Sequence, residues 1–159
     1  MSDPRAAILS AARARGLRLA TAESCTGGMV AAALTDLPGS SEVFDRGFVT
    51  YSNAAKIDLL GVRDTTLATH GAVSEETARE MAEGARQRST AQVALSITGI
   101  AGPGASGTAK PEGMVCFGLA TPAGTVTETR QFGALGRDRV RAAARDHALA
   151  LILTALQAP

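Results

Sequence analysis

Three side chains able to attack a carbonyl stand together in "ATAESCTGGMVAAAL" (residues 20–34): Ser24, Cys25 and Thr26, just ahead of Gly27, Gly28 and an apolar run. A strand ends before them and a helix starts after them. At such a boundary, side chains and unpaired amides face the crevice at the carboxyl edge of a sheet, and Ser24 is placed there like a nucleophile. The plainer role for Ser24 or Thr26 is to cap the helix, the commoner work of such residues. Two glycines in a first turn cost roughly 1 kcal/mol each relative to alanine, a cost easier to understand where a ligand or another backbone comes close. Cys25 is the rival nucleophile, but buried cysteines are usually inert and its side chain would face away from that of Ser24.

A nucleophilic serine needs a base. His70 and His147, read in a loop and in mid-helix, have no acidic partner at an informative spacing. Arginine holds its proton too tightly to serve, so Lys56 and Lys110, the only lysines, are the candidate amines. In "YSNAAK" the single tyrosine, Tyr51, ends a strand and Lys56 falls in the first turn of the next helix. With Ser52 or Asn53 as N-cap, the positive end of the helix dipole would disfavour the ammonium form and depress its pKa. A lysine-activated serine is a known alternative to the histidine triad, and a solvated surface lysine is the ordinary alternative reading of Lys56.

Two further segments suit a ligand. "SITGIAGPGASGTAKPEG" (residues 96–113) is a long glycine-rich loop whose free amides could wrap an anionic or amide-bearing molecule. Its G-x-G-x-x-G at Gly102, Gly104 and Gly107 contains Pro103 and precedes no helix, so it is not a dinucleotide fingerprint, and no Walker-type G-K-[ST] is present. In "GRDRVRAAAR", Arg137 and Arg141 lie four apart on one face at a helix N-terminus. Arginines at that unfavourable end suggest an anion such as a phosphate, although Asp138 and Asp146 could do part of the work.

The elements that must position these groups follow from pattern and caps. Helices are expected over 4–15, ended by Gly16, over 26–36, from 53 to a stop at Gly61, from an N-cap at Ser74 for about four turns, and over 137–157. Strands are expected over 17–23, 47–52, 92–98 and 114–121, followed by a turn at 122–124 and a last strand that alternates polar and apolar residues. Strands alternating with helices, then a meander, predict an α/β fold: a three-layer α/β/α sandwich on a mixed β-sheet, in one domain spanning 1–159.

Bulk properties narrow the partners. A chain of 159 residues can bury roughly two-thirds of its unfolded surface. The net charge of +1, with interspersed signs, points to a small ligand rather than to nucleic acid or an anionic membrane. No run approaches the roughly 18 apolar residues that span a bilayer, and the start lacks the features of a signal peptide, so a cytoplasmic location is expected. Cys25 and Cys116 have neither metal-ligand spacing nor a disulfide framework, so reduced thiols, no metal and no cofactor are expected.

Taken together, "AESCTGG" (22–28), "GFVTYSNAAK" with "LLGV" (47–62), "HGAVSEETAREMAEGA" (70–85), "ALSITGIAGP" (94–103), "KPEG" (110–113) and the closing "RDRVR" resemble the CinA C-terminal domain family over nearly the whole chain. That family includes nicotinamide-nucleotide amidases, and the lack of a large extra N-terminal domain is like the stand-alone amidase. The resemblance implies hydrolysis of the carboxamide of nicotinamide mononucleotide to nicotinate mononucleotide and ammonia, without a metal, through a serine acyl-enzyme. Carried onto this chain, it implies Ser24 as nucleophile and Lys56 and Tyr51 as proton-transfer partners. Thr98 and the amides from Gly99 to Gly102 would line the substrate site, with Arg137 on the phosphate. Thr26, Gly27, Gly28, Lys110 and Arg141 complete the expected substrate-binding set, the amides of Gly27 and Gly28 serving as oxyanion donors. A homodimer is expected from the family alone. The chain departs from the family's usual pattern at "GPGASG", at "KPEG" where "KPVG" is usual, and at "LGR" (135–137) where "GDR" is usual. Two alternatives stand beside this reading: a non-catalytic nucleotide-binding module in which the serine only caps its helix, and an amidase acting on a different amide.

Overall fold

Caps set most of the element boundaries in the structure, a computed structural model that describes residues 3–105 and 109–158. Helix α1 (Pro4–Arg15) starts at Asp3, whose carboxylate accepts the Arg5 N–H, and ends at Gly16 in the left-handed region, φ 65°. Strand β1 (Leu19–Glu23), helix α2 (Met29–Thr35), a 3₁₀ turn (Ser40–Glu42) and strand β2 (Phe44–Val49) follow. Helix α3 (Asn53–Leu60) is capped by the Ser52 hydroxyl and closed by Gly61. Helices α4 (Asp64–His70) and α5 (Glu75–Gln87) lead to strands β3 (Val93–Gly99), β4 (Met114–Thr121) and β5 (Gly124–Gln131), and helix α6 (Arg137–Gln157) closes the chain.

Several boundaries differ from those expected. Helix α2 begins at Met29 rather than at residue 26, because the preceding turn is held by other bonds described below. Strand β2 begins at Phe44 and ends at Val49, so Tyr51 lies in the connection to α3 and does not end the strand. Helix α4 was not expected, since "DTTLATH" is rich in β-branched threonine and too short to show a period; His70 is its last residue and not part of a loop. Gly107, the third glycine of the G-x-G-x-x-G run, lies outside the described residues.

The sheet order is β2-β1-β3-β4-β5. Strands β2, β1 and β3 run parallel, while β3–β4 and β4–β5 pair antiparallel, giving the expected mixed sheet. Its two faces differ in residue size. Leu19, Leu95, Ile97, Val115 and Phe117 pack against α1, α2 and α6. On the other face Ala20, Ala22, Ala94 and Ala120 meet Leu60 of α3 and Met81, Ala82 and Ala85 of α5. Helices cover both faces, as the three-layer reading requires. Among the described residues, no helix is long and apolar enough to cross a membrane.

The small residues let α5 approach backbone to backbone. A Cβ added at Gly84 would lie 2.0 Å from the Leu60 carbonyl oxygen, and one at Gly118 would lie 2.5 Å from the Ala78 carbonyl oxygen. The Ser96 hydroxyl donates to that same Ala78 carbonyl at 2.6 Å, fastening β3 to α5. Gly84→Ala is therefore expected to cost about 2–4 kcal/mol of stability, because the obstructing atom is backbone and cannot rotate away. Urea denaturation of the variant checks this, and an unchanged midpoint would refute the close contact.

Candidate active site

Alternation along β1 aims two polar groups in opposite directions. Leu19, Thr21 and Glu23 share the face covered by α2, so the next residue with the opposite orientation, Ser24, continues the series of Ala20 and Ala22 toward α3. Glu23 is 1% exposed. Its Oε1 accepts the Val30 N–H at 3.0 Å and the Thr26 hydroxyl at 2.6 Å, and its Oε2 accepts the Ala31 N–H at 3.0 Å. A carboxylate from the strand thus satisfies first-turn amides of α2, the work that the sequence reading left to Ser24 or Thr26. The N-cap residue itself is Gly28, φ 109°, with no side chain to offer. Ser24 caps nothing, and its N–H donates to Ile97 O at 2.9 Å, prolonging the β1–β3 ladder.

The Ser24 hydroxyl meets Lys56. Lys56 stands in the first turn of α3, is 1% exposed, and its Nζ lies 3.1 Å from Ser24 Oγ, 3.0 Å from Thr50 O and 3.4 Å from Tyr51 O. Burial lowers its pKa from that of an exposed lysine, favouring the neutral amine. A neutral amine can give its two hydrogens to the two carbonyls and turn its lone pair to the serine. The geometry therefore suits proton removal from Ser24. The rival Cys25 is packed in the core beside α2, and burial pushes its thiol up to about 12, which keeps it protonated at neutral pH.

Around this pair lies an open cleft of about 210 Å³, lined by Ser24, Tyr51, Lys56, Thr98, Gly102 and Arg137 among others. It sits at the carboxyl ends of β1 and β3, where the chain leaves β1 toward one face of the sheet and returns to β3 from the other. Ligands of open α/β sheets bind at such switch points. Arg137, the first residue of α6, donates to Gly102 O at 2.7 Å and to the Tyr51 hydroxyl at 2.6 Å. The two larger grooves, of about 460 and 480 Å³, contain neither Ser24 nor Lys56. Chemistry, not size, selects the smaller cleft.

Other residues singled out by the sequence have definite places. Gly27 adopts φ 57° and its N–H donates to Ser24 O, so that amide is already engaged. Gly28 lies behind the turn against Val49. The Thr98 hydroxyl donates to Ala72 O, fixing the segment between α4 and α5 that forms a wall of the cleft, and Gly99 lines the cleft beside it. Lys110 lines the 480 Å³ groove and donates to the carbonyls of His70 and Val73, bracing that same wall from behind. Arg141 donates to the carbonyls of Cys25 and Thr26, so it supports the turn from beneath, whereas an anion had been expected there. Glu23 was missed, although one acidic residue ending the buried run "LATAE" was a signal for it. Among the described residues, no cluster of three His, Cys, Asp or Glu side chains could hold a metal ion.

Comparison with known proteins bears on this arrangement. The family model of the CinA C-terminal domain matches residues 2–156. A nicotinamide-nucleotide amidohydrolase, PncC, of Escherichia coli K12 is 52% identical over 139 residues, covering 87% of this chain and 84% of that protein. A CinA-like protein of Chloroherpeton thalassium is 62% identical over 111 residues, 70% of this chain but 26% of its own length. The chain likewise spans 34% of a competence-damage inducible protein of Symbiobacterium thermophilum. Among solved structures, the competence/damage inducible protein CihA from Agrobacterium tumefaciens superposes with a TM-score of 0.91 at 45% identity, covering 99% of this chain and 98% of that one.

Two outcomes are expected from the buried ionisable groups. Glu23→Ala strands two amides and the Thr26 hydroxyl in the interior and should cost about 3 kcal/mol or more, with Glu23→Gln milder; thermal unfolding checks both. For Lys56, the folded pKa lies below the 10.5 of an exposed lysine, so between the two values the unfolded chain binds the extra proton. Stability linked to Lys56 is thus fullest above about pH 10.5 and falls away as pH drops through the folded pKa. The difference in unfolding free energy between wild type and Lys56→Met should rise with pH across that window, and a flat difference would exclude the shift.

Proposed function

Because the chain belongs to the CinA C-terminal domain family, we propose that it is an amidohydrolase converting nicotinamide mononucleotide to nicotinate mononucleotide and ammonia. One observation carries the reading: the buried Lys56 amine, 3.1 Å from Ser24 Oγ. The relative from Escherichia coli named a nicotinamide-nucleotide amidohydrolase supports the choice of amide. The same reading includes a cytoplasmic location and a homodimer.

In the first step the neutral Lys56 amine accepts the Ser24 hydroxyl proton as Oγ bonds to the carboxamide carbon. The carbonyl π-bond pair moves to oxygen, and donors must meet the new charge. Since the Gly27 amide is engaged with Ser24 O and Gly28 lies behind the turn, this part is assigned to the amide of Cys25, the residue of the turn that lines the cleft beside Ser24. Collapse of the adduct breaks the C–N bond, and the Lys56 ammonium returns its proton to the nitrogen, which leaves as ammonia. Water then attacks the acyl ester, and Lys56 takes one of its protons and passes it to Ser24 Oγ. The carboxylic acid so freed ionises as it departs, its proton passing through solvent to the released ammonia.

Of the two expected proton-transfer partners, Lys56 is the direct base in this reading. The Tyr51 hydroxyl accepts from Arg137, while the Tyr51 carbonyl helps to hold the lysine. Tyr51 thereby contributes to proton transfer through the amine and forms the cleft wall with its ring. Arg137, at the exposed mouth, is assigned to the substrate phosphate, for which a guanidinium fork is suited. Against the alternative of a binding module whose serine only caps its helix stands the observation that Glu23, not Ser24, bonds the α2 amides.

Ammonia release from nicotinamide mononucleotide by wild type and Ser24→Ala tests the proposal. Wild type should turn over, and Ser24→Ala should lose at least about a thousandfold in kcat while binding the nucleotide nearly as well. Equal turnover by both proteins would remove Ser24 from the chemistry. Binding without turnover by wild type would exclude this substrate, and a panel of other amides would then identify one that is hydrolysed.

A further inference from the structure

Glu112 lies outside the cleft, yet it joins the two segments that carry the anion-binding end of it. Its Oε1 accepts the Gly104 N–H at 2.8 Å, and its Oε2 accepts the Gly136 N–H at 3.1 Å. Gly136 is the N-cap of α6 and supplies no side chain of its own, so a carboxylate from another segment serves there. The Glu112 side chain also lies across Gly102: a Cβ on Gly102 would be 2.5 Å from the Glu112 carboxyl carbon. Gly102 is the residue whose carbonyl accepts from Arg137. The glycine loop and the start of α6 are therefore cross-linked twice, by Arg137 reaching from the helix to the loop and by Glu112 reaching from the end of the loop to the helix.

The base from which Glu112 reaches is fixed. The neighbouring Gly113 N–H donates to Ile100 O at 2.8 Å, and the Phe132 N–H donates to Gly113 O at 2.8 Å. A Cβ at Gly113 would lie 2.1 Å from Gly133 O, so backbone meets backbone there. With its base held, the carboxylate constrains what it grips. Without it, the Gly104 and Gly136 amides are each released to water, and the loop and helix that meet at the Arg137–Gly102 hydrogen bond lose their second tie.

We propose that Glu112 is a positioning residue for Arg137, tying the Gly102–Gly104 segment to the start of α6 so that the guanidinium is held ready for the phosphate of the substrate. The inference rests on the assignment of Arg137 to that phosphate made under Proposed function. Holding the group in advance removes an ordering cost from binding, so the effect belongs to affinity for the phosphate-bearing ligand and not to the acyl chemistry.

Calorimetric titration of nicotinamide mononucleotide and of its dephosphorylated nucleoside tests the proposal, in a Ser24→Ala parent so that no turnover intrudes. Glu112→Ala should weaken nucleotide binding about five- to tenfold and leave the nucleoside unchanged, with Glu112→Gln intermediate and folded. Added to Arg137→Ala, Glu112→Ala should have no further effect. With Ser24 present, the same change should appear in KM while kcat stays within about twofold. Equal weakening of both ligands, or a full additional loss on top of Arg137→Ala, overturns the role of Glu112 and leaves the amidase reading in place. Nucleotide binding unaffected by Arg137→Ala overturns the phosphate assignment and this inference with it. Failure of the parent to bind the nucleotide at all overturns the substrate and the inference together.

Discussion

A carboxylate taken out of water must have its hydrogen bonds supplied by the protein, and Glu23 receives them from the Thr26 hydroxyl and the amides of Val30 and Ala31. That single demand shapes the site. It ends β1, delays the start of α2 to Met29 and bends the intervening residues into a turn with positive φ at Gly27 and Gly28. Helix amides that would otherwise recruit a hydroxyl are satisfied from below. The serine one residue later is left with its oxygen unclaimed by the backbone, beside the buried amine of Lys56.

Burying that amine is the second constraint. Lys56 is carried inward on α3 because the alanine face of the sheet leaves room for a helix layer that sits close, and the carbonyls of Thr50 and Tyr51 receive its hydrogens. Carbonyl partners stabilise an amine in either protonation state, whereas a carboxylate partner would have locked it as ammonium. The selection of partners is consistent with a group that must gain and lose a proton within one catalytic cycle. Arg141 and Lys110, two further basic side chains nearby, are kept on backbone carbonyls of the two walls.

Helix ends with a chemical marker were legible in the sequence. Gly16 and Gly61, Ser52 and Ser74 all appear where their chemistry requires, whereas in β5 it is Thr125, Thr127 and Thr129 that face the α5 glutamates and Val126 that is exposed. Ser24 and Lys56 were legible as candidates, since a serine after a strand and a lysine in a first turn are local patterns. What was not legible is what depends on distant residues. That Glu23 would do the capping depends on α2 folding back over the strand, and nothing in "DTTLATH" announces a helix until Glu80 accepts from Thr66 and from the Arg63 N–H. The departures at "KPEG" and "LGR" looked unrelated in the sequence, 22 positions apart at their nearest ends. In space the Glu112 carboxylate joins them through the Gly136 amide.

The unequal faces of the sheet have a mechanical consequence. On the side of α5, alanines dominate and backbone approaches backbone at Gly84 and Gly118. On the side of α1, α2 and α6, leucines, isoleucines and a phenylalanine fill the space, and such side chains accommodate small displacements by changing rotamer. Ser24 continues the alanine face of β1 and Lys56 is carried on α3 against that face, so both are mounted on the closely stacked half. Their separation is thus set where helix and sheet meet with little side chain between them, so any change that swells that interface is transmitted to the hydroxyl and the amine together, while the leucine- and isoleucine-filled face can be repacked without disturbing the pair.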